Sequence, residues 1–194
     1  MLSAEQRHEL HDGLRGATGR WRLVANQVQI SPLRLGYLPA RHRPIVRAVI
    51  NPDQWDGYPA ERRALLDALG DTTATLALSG DLHATFLTAA EGAQGRLLEL
   101  TTPAVTAPTM GTHVRRRSAC RRCSPTALLR TLNRHIHRCD LTRHGFSLLT
   151  IEADRIAVEV HLLRGVNRPQ DCERRVHRAE LHHADRPARW RVAG

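Results

Sequence analysis

From Ala74 to Ser79 the chain runs ATLALS and then stops at Gly80. A short apolar run ended by glycine is the signature of a buried strand. The elements around it are read the same way. Ser3 followed by Gln6 forms a capping box, and Leu10 and Leu14 then share one face of a helix ending near Gly16 or Gly19. Trp21–Ile30 is a β-rich run, interrupted by Asn26 and Gln27, and Ser31–Pro44 reads as loop. Pro59 suits the first turn of a helix whose apolar stripe is Leu65, Leu66 and Leu69, with Gly70 as its stop. Arg96–Leu100 is the next strand, Thr101–Met110 a loop and Pro125–Leu132 a short helix. Phe146–Glu152 and Arg155–Leu163, joined through Ala153 and Asp154, predict a hairpin. Strands and helices alternate early and a hairpin comes late, so the class is α/β, or α+β with a mixed sheet.

At 194 residues the chain is long enough for one domain with its own core. No apolar run reaches the ~18 residues needed to cross a bilayer, so no membrane partner is expected. Met1–His11 lacks a basic start followed by an apolar stretch, so the chain as written is expected in the cytoplasm. Four cysteines do not make a disulfide scaffold at this length. All 29 basic residues are arginine and the formal charge is +10. The stretch 115–143 concentrates that charge, with nine arginines against the single acid Asp140. Such a stretch is more often a solvated loop than a phosphate-binding surface, and no aromatic interrupts it to stack a base. After Gly165 the pattern dissolves, and 166–194 reads as a charged tail, from which Trp190 and Val192 dock back.

Leu78-Ser79-Gly80-Asp81-Leu82-His83 is the segment richest in chemistry. Ligands of open α/β sheets collect at the carboxyl ends of strands, which is where Asp81 and His83 fall. Carboxylate oxygen and imidazole nitrogen are standard metal ligands. An Asp-x-His pair alone also fits a loop acid beside a partly buried histidine. Upstream, Asn51–Arg62 is a turn rich in aromatics and acids that feeds a helix through Pro59. Here Trp55 and Tyr58 are read as core anchors and Asp56 as a helix-start acid favoured by the dipole.

Taken together, WDGYPAERRALLDAL and LSGDLHATF closely resemble the PhoD-like alkaline phosphatase family. EQRHELHDGLRGATGRWRLVANQVQISPL, LLELTTPAVTAP and NRHIHRCDLTRHGFSLLTI resemble further segments of that family, in order. The resemblance implies a sandwich of two mixed sheets flanked by helices, of which residues 1–165 would form the C-terminal half. It also implies phosphate-ester substrates and a dinuclear metal centre, with iron and calcium as the metals. The family's Gly-Asp-x-His motif falls on Gly80, Asp81 and His83, which makes Asp81 and His83 candidate metal ligands. Trp55, Asp56 and Tyr58 take a supporting role. Family members are often exported.

The family's cysteine ligand, its Gly-Asp-x-x-Tyr segment and its Trp-Asp-Asp-His segment have no counterpart here. The expectation is therefore a truncated phosphatase fragment, inactive alone, or one subunit of a split enzyme whose partner is the missing N-terminal half. With the partner sheet absent, the inner faces of Leu76, Leu78, Leu98, Leu100, Leu148 and Ile151 are expected to be incompletely covered. The runner-up reading is a small basic nucleic-acid- or zinc-binding module centred on 115–143. Its zinc ligands would be Cys120, Cys123, His135, His137 and Cys139, a CxxC pair followed by a less regular His-x-His-x-Cys half.

Overall fold

A computed structural model describes residues 1–33, 53–69, 74–92, 95–112, 125–168 and 174–193. In chain order these form helix α1 (Ala4–Gly16), strand β1 (Trp21–Ala25), a 3-10 turn (Trp55–Gly57), helix α2 (Pro59–Ala68) and strands β2 (Ala74–Ser79), β3 (Thr85–Glu91) and β4 (Arg96–Thr101). Helix α3 (Pro125–Leu132) and strands β5 (Ile136–Asp140), β6 (His144–Ile151), β7 (Arg155–Leu163), β8 (Arg174–His182) and β9 (Arg191–Val192) follow. The capping box is present: Gln6 N–H donates to Ser3 Oγ at 3.1 Å, and Ser3 N–H to Gln6 Oε1 at 3.0 Å. No helix among the described residues is long and apolar enough to cross a membrane.

The strands make two sheets, β1-β2-β4-β3-β5 and β6-β7-β8-β9. The first is mixed: β1, β2 and β4 run parallel, and β3 is antiparallel to both β4 and β5. Every pair in the second sheet is antiparallel, so only one of the two sheets is mixed. Leu76, Leu98 and Leu100 of the first sheet pack against Ile156, Val158, Val160 and Leu162 of β7 and Ala179 and Leu181 of β8. The opposite face of the first sheet, through Ala77 and Leu97, meets Leu14 of α1 and Leu65 and Leu66 of α2. A third cluster joins Phe86 of β3 and Ile136 of β5 to Leu129 of α3.

This arrangement corrects two expectations. The charged segment after Gly165 contains a nine-residue strand, β8, paired with β7 along its whole length. Its alternation is hidden because Val176, Arg178, Glu180 and His182 share one register while only Ala179 and Leu181 are fully buried. The inner leucines are also covered, with Leu76, Leu98 and Leu100 at 0%, 1% and 2% exposure and Leu78 packed on the same core. The second sheet, built from the chain's own late strands, supplies the missing face. Only Leu148 and Ile151 of the six stand exposed, on the edge strand β6.

Asp140 governs the passage from the first sheet to the second. Its carboxylate accepts from Thr142 N–H at 2.8 Å, Arg143 N–H at 3.1 Å and Arg143 Nη1 at 2.6 Å. Burial alone would push its pKa up, but the Thr142 amide and the Arg143 guanidinium outweigh it and hold the carboxyl below its ordinary value. The stability this contributes is therefore present above the unfolded value of ~3.9 and is lost as pH falls through the lower folded value. Asp140→Asn should cost about 1–3 kcal/mol at neutral pH, and the deficit should shrink in acid. Urea melts of both proteins at neutral and strongly acidic pH check it.

Candidate functional site

β2 ends at Ser79, and the chain turns at once through residues 80–84. The turn is held from three sides. Gly80 N–H donates to Gln27 O at 3.1 Å, Thr102 N–H to Ser79 O at 2.8 Å and Met110 N–H to His83 O at 3.1 Å. Asp81 and His83 both adopt left-handed backbone, with φ of 63° and 52°. That conformation costs an L-residue about 1–2 kcal/mol, although Asp tolerates it better than most. Strain of this kind persists where surrounding structure over-determines it, and it clusters at functional sites.

The two side chains end in different environments. Asp81 is exposed, and its Oδ2 accepts from Gln54 Nε2 at 3.1 Å. His83 Nδ1 lies 2.9 Å from the carbonyl oxygen of Pro108. A carbonyl can only accept, so Nδ1 carries the proton and Nε2 presents its lone pair. Histidine metal ligands are commonly oriented this way, by a carbonyl on the other ring nitrogen. Among the described residues no group of three or more His, Cys, Asp or Glu is placed to hold an ion. Asp81 and His83 offer suitable donors, but two ligands are fewer than a dinuclear centre needs.

Under the turn lies a buried polar network. Glu99 of β4, with no solvent exposure, accepts from Ile30 N–H at 2.8 Å, Ser31 N–H at 2.7 Å and Ser79 Oγ at 3.0 Å. Burial raises its pKa; the amides of Ile30 and Ser31 and the hydroxyls of Ser31 and Ser79 pull it partway back. Glu99 thereby ties the segment after β1 to the last residue of β2, one position before Gly80. Sequence reasoning missed Glu99, Gln54 and Pro108. Glu99 looks like a surface-facing residue inside a strand, and nothing in the spacing links Gln54 to Asp81.

The expected supporting residues divide in role. Trp55 is 2% exposed in the core against α1 and α2. Asp56 is a latch, accepting from Arg62 Nη1 at 2.6 Å and from Leu33 N–H at 3.0 Å. Tyr58 is exposed rather than a core anchor, because it sits at the start of α2 where its ring faces outward. For the zinc cluster, Cys120 and Cys123 lie outside the described residues. His135 Nε2 meets the Pro32 carbonyl at 2.7 Å, and burial pushes the Cys139 thiol up to about 11, away from the thiolate a metal would take.

The described residues thus form a two-sheet α/β sandwich with an Asp-x-His turn at the carboxyl end of a parallel strand. The profile of the PhoD-like phosphatases matches residues 1–160, and the chain belongs to that family. Among solved structures it is similar to one described as the structure of PhoD, at 16% identity and a TM-score of 0.71. That likeness covers 100% of this chain and 35% of the solved one, so the chain spans about a third of that relative's length. No curated protein matches.

Proposed function

We propose that this chain carries one arm of a metal-dependent phosphoesterase site, with Asp81 and His83 as metal ligands at the end of β2. The observation that supports it most is the pair of left-handed residues in one turn, with His83 Nε2 left free by the Pro108 contact. Gln54 holds one carboxylate oxygen of Asp81 and leaves the other for a cation. Paired cations in such a site would hold the phosphate and lower the pKa of a bound water. A complete site would need ligands besides these two. A second reading, a subunit of a split phosphatase, draws on β1 being the outer strand of its sheet among the described residues. There Leu23 is 45% exposed beside a groove walled by α1.

The test is a titration of the chain with Mn²⁺ followed by NMR. Broadening should centre on Asp81 and His83 and weaken at least tenfold in His83→Gln, as expected when one ligand of a small set is lost. Hydrolysis of phosphomonoesters or phosphodiesters by the chain alone should be negligible. Broadening elsewhere would sink the ligand assignment. Metal-dependent turnover abolished by Asp81→Ala would show that the arm is a complete site.

A further inference from the structure

A groove of about 860 Å³ opens on the helix side of the first sheet, away from the Asp81 turn. It falls within the ~300–1,000 Å³ typical of small-molecule sites. Helix α2, the end of β3, the start of β4 and the α3–β5 junction form its walls. The contact at its base is tight: a methyl group on Gly92 would lie 2.7 Å from Leu66 Cβ and 3.1 Å from Asp67 Oδ1. Strand end and helix therefore meet with no side chain between them, which fixes the base of the groove.

The lining is lopsided in charge, with four arginines against the acids Asp67 and Glu91. Arg62 is committed to Asp56. Arg63 and Arg134 are exposed and form no ion pair within the described residues. Arg96 reaches Glu91 at 3.3 Å, but that carboxylate is 69% exposed, and the buried Nε of Arg96 has no acceptor. A buried donor without a partner is costly, and an incoming oxyanion would relieve that cost. His137, half-buried here, is held below its ordinary pKa by burial, then by Arg96 and His135, so cationic groups surround it. Leu66, Ala90 and Leu132 supply an apolar side to the same groove.

We propose that this groove binds a small organic phosphate, its phosphoryl group on Arg63, Arg96 and Arg134 and its body against Leu66, Ala90 and Leu132. Arginine suits this ligand because its planar fork meets phosphate oxygens in pairs, and the charge-assisted bonds are the strong ones. The apolar side favours an ester over inorganic phosphate. The assignment is independent of the phosphoesterase reading, since no residue of the Asp81 turn takes part.

The probe is phenylphosphonate, which has no ester bond to cleave, added with EDTA present so that no metal can act at Asp81 and His83. Calorimetry should show saturable 1:1 binding, with inorganic phosphate several-fold weaker. The exposed pair Arg63→Gln/Arg134→Gln should weaken binding roughly tenfold or more without changing the melt, as loss of two charge-assisted contacts requires. Amide shifts should move at Arg96 and His137 and stay still at Asp81 and His83. A control, Arg174→Gln/Arg175→Gln at the exposed start of β8, should leave affinity unchanged. Equal weakening by the control pair, shifts centred elsewhere or no saturable binding would each overturn the proposal.

Discussion

Replacing Glu99 by alanine should lower stability by about 3–5 kcal/mol, because it strands buried donors rather than merely deleting a charge. Ile30 N–H and Ser31 N–H end on this carboxylate with no water to turn to, whereas Ser79 Oγ, also bonded to it, keeps Thr101 Oγ1 at 3.0 Å. At ~2–4 °C per kcal/mol for a chain of this size, the melting temperature should fall by about 10 °C. Glu99→Gln, which keeps one acceptor oxygen and the volume, should cost clearly less. The pH dependence separates this from a packing defect. Burial raises the folded-state pKa, so the folded chain holds this proton more tightly than the unfolded chain does. Stability from this group is then fully present below the unfolded value of ~4.3 and is lost as pH rises towards the folded value. That slope opposes the one from Asp140, and Glu99→Gln should remove it. Denaturant melts across pH 4–8 read both effects. A loss under 1 kcal/mol for the alanine variant, with no change of slope, would mean that the segment after β1 holds itself in place.

Many of the individual strands and helices are legible because the relevant signals are local, although their order in the sheets is not. β2 announces itself by ATLALS before Gly80, α2 by Pro59 and its leucines, and the β6–β7 hairpin by its two β-rich runs. β1 ends at Ala25, short of its β-rich run, although Asn26 N–H still donates to Leu78 O and Gln27 O still accepts from Gly80 N–H. β3 was invisible for a physical reason: Thr85–Ala90 is buried on both faces, so it shows no alternation, and its two alanines carry little strand propensity. β5 lay hidden inside the arginine-rich stretch 115–143, where charge masked Ile136 and the cysteine and histidines flanking it. Of the candidate site, Asp81 and His83 were legible from Gly80 and the end of the strand. Their long-range partners were not. Gln54 meets Asp81 from 27 residues away and Pro108 meets His83 from 25, and no local pattern encodes such contacts.

The sharpest consequence of the second sheet concerns residues that read as tail. Trp190 is 6% exposed and belongs to the core between the sheets, and its Nε1 donates to Thr88 O of β3 at 2.7 Å. Nearby, Asp185 accepts from Arg191 at 2.6 Å, and Val192 pairs with Ala179, which pins the last strand to β8. Trp190 therefore bolts the C-terminal segment to the opposite sheet through both packing and a hydrogen bond. Trp190→Ala should cost about 3–5 kcal/mol, the usual range for emptying a buried indole site. Trp190→Phe keeps most of the volume and should lose mainly the hydrogen bond, about 1 kcal/mol. A segment merely resting on the surface would instead give changes within ~0.5 kcal/mol for both variants. Urea titrations decide between the two, provided the slope with denaturant is unchanged, so that the midpoint shift reports stability alone. The gap between alanine and phenylalanine is the informative quantity, because it isolates the cavity from the Thr88 bond. A gap of several kcal/mol would place residues 174–193 inside the cooperative unit that also holds the Asp81 turn.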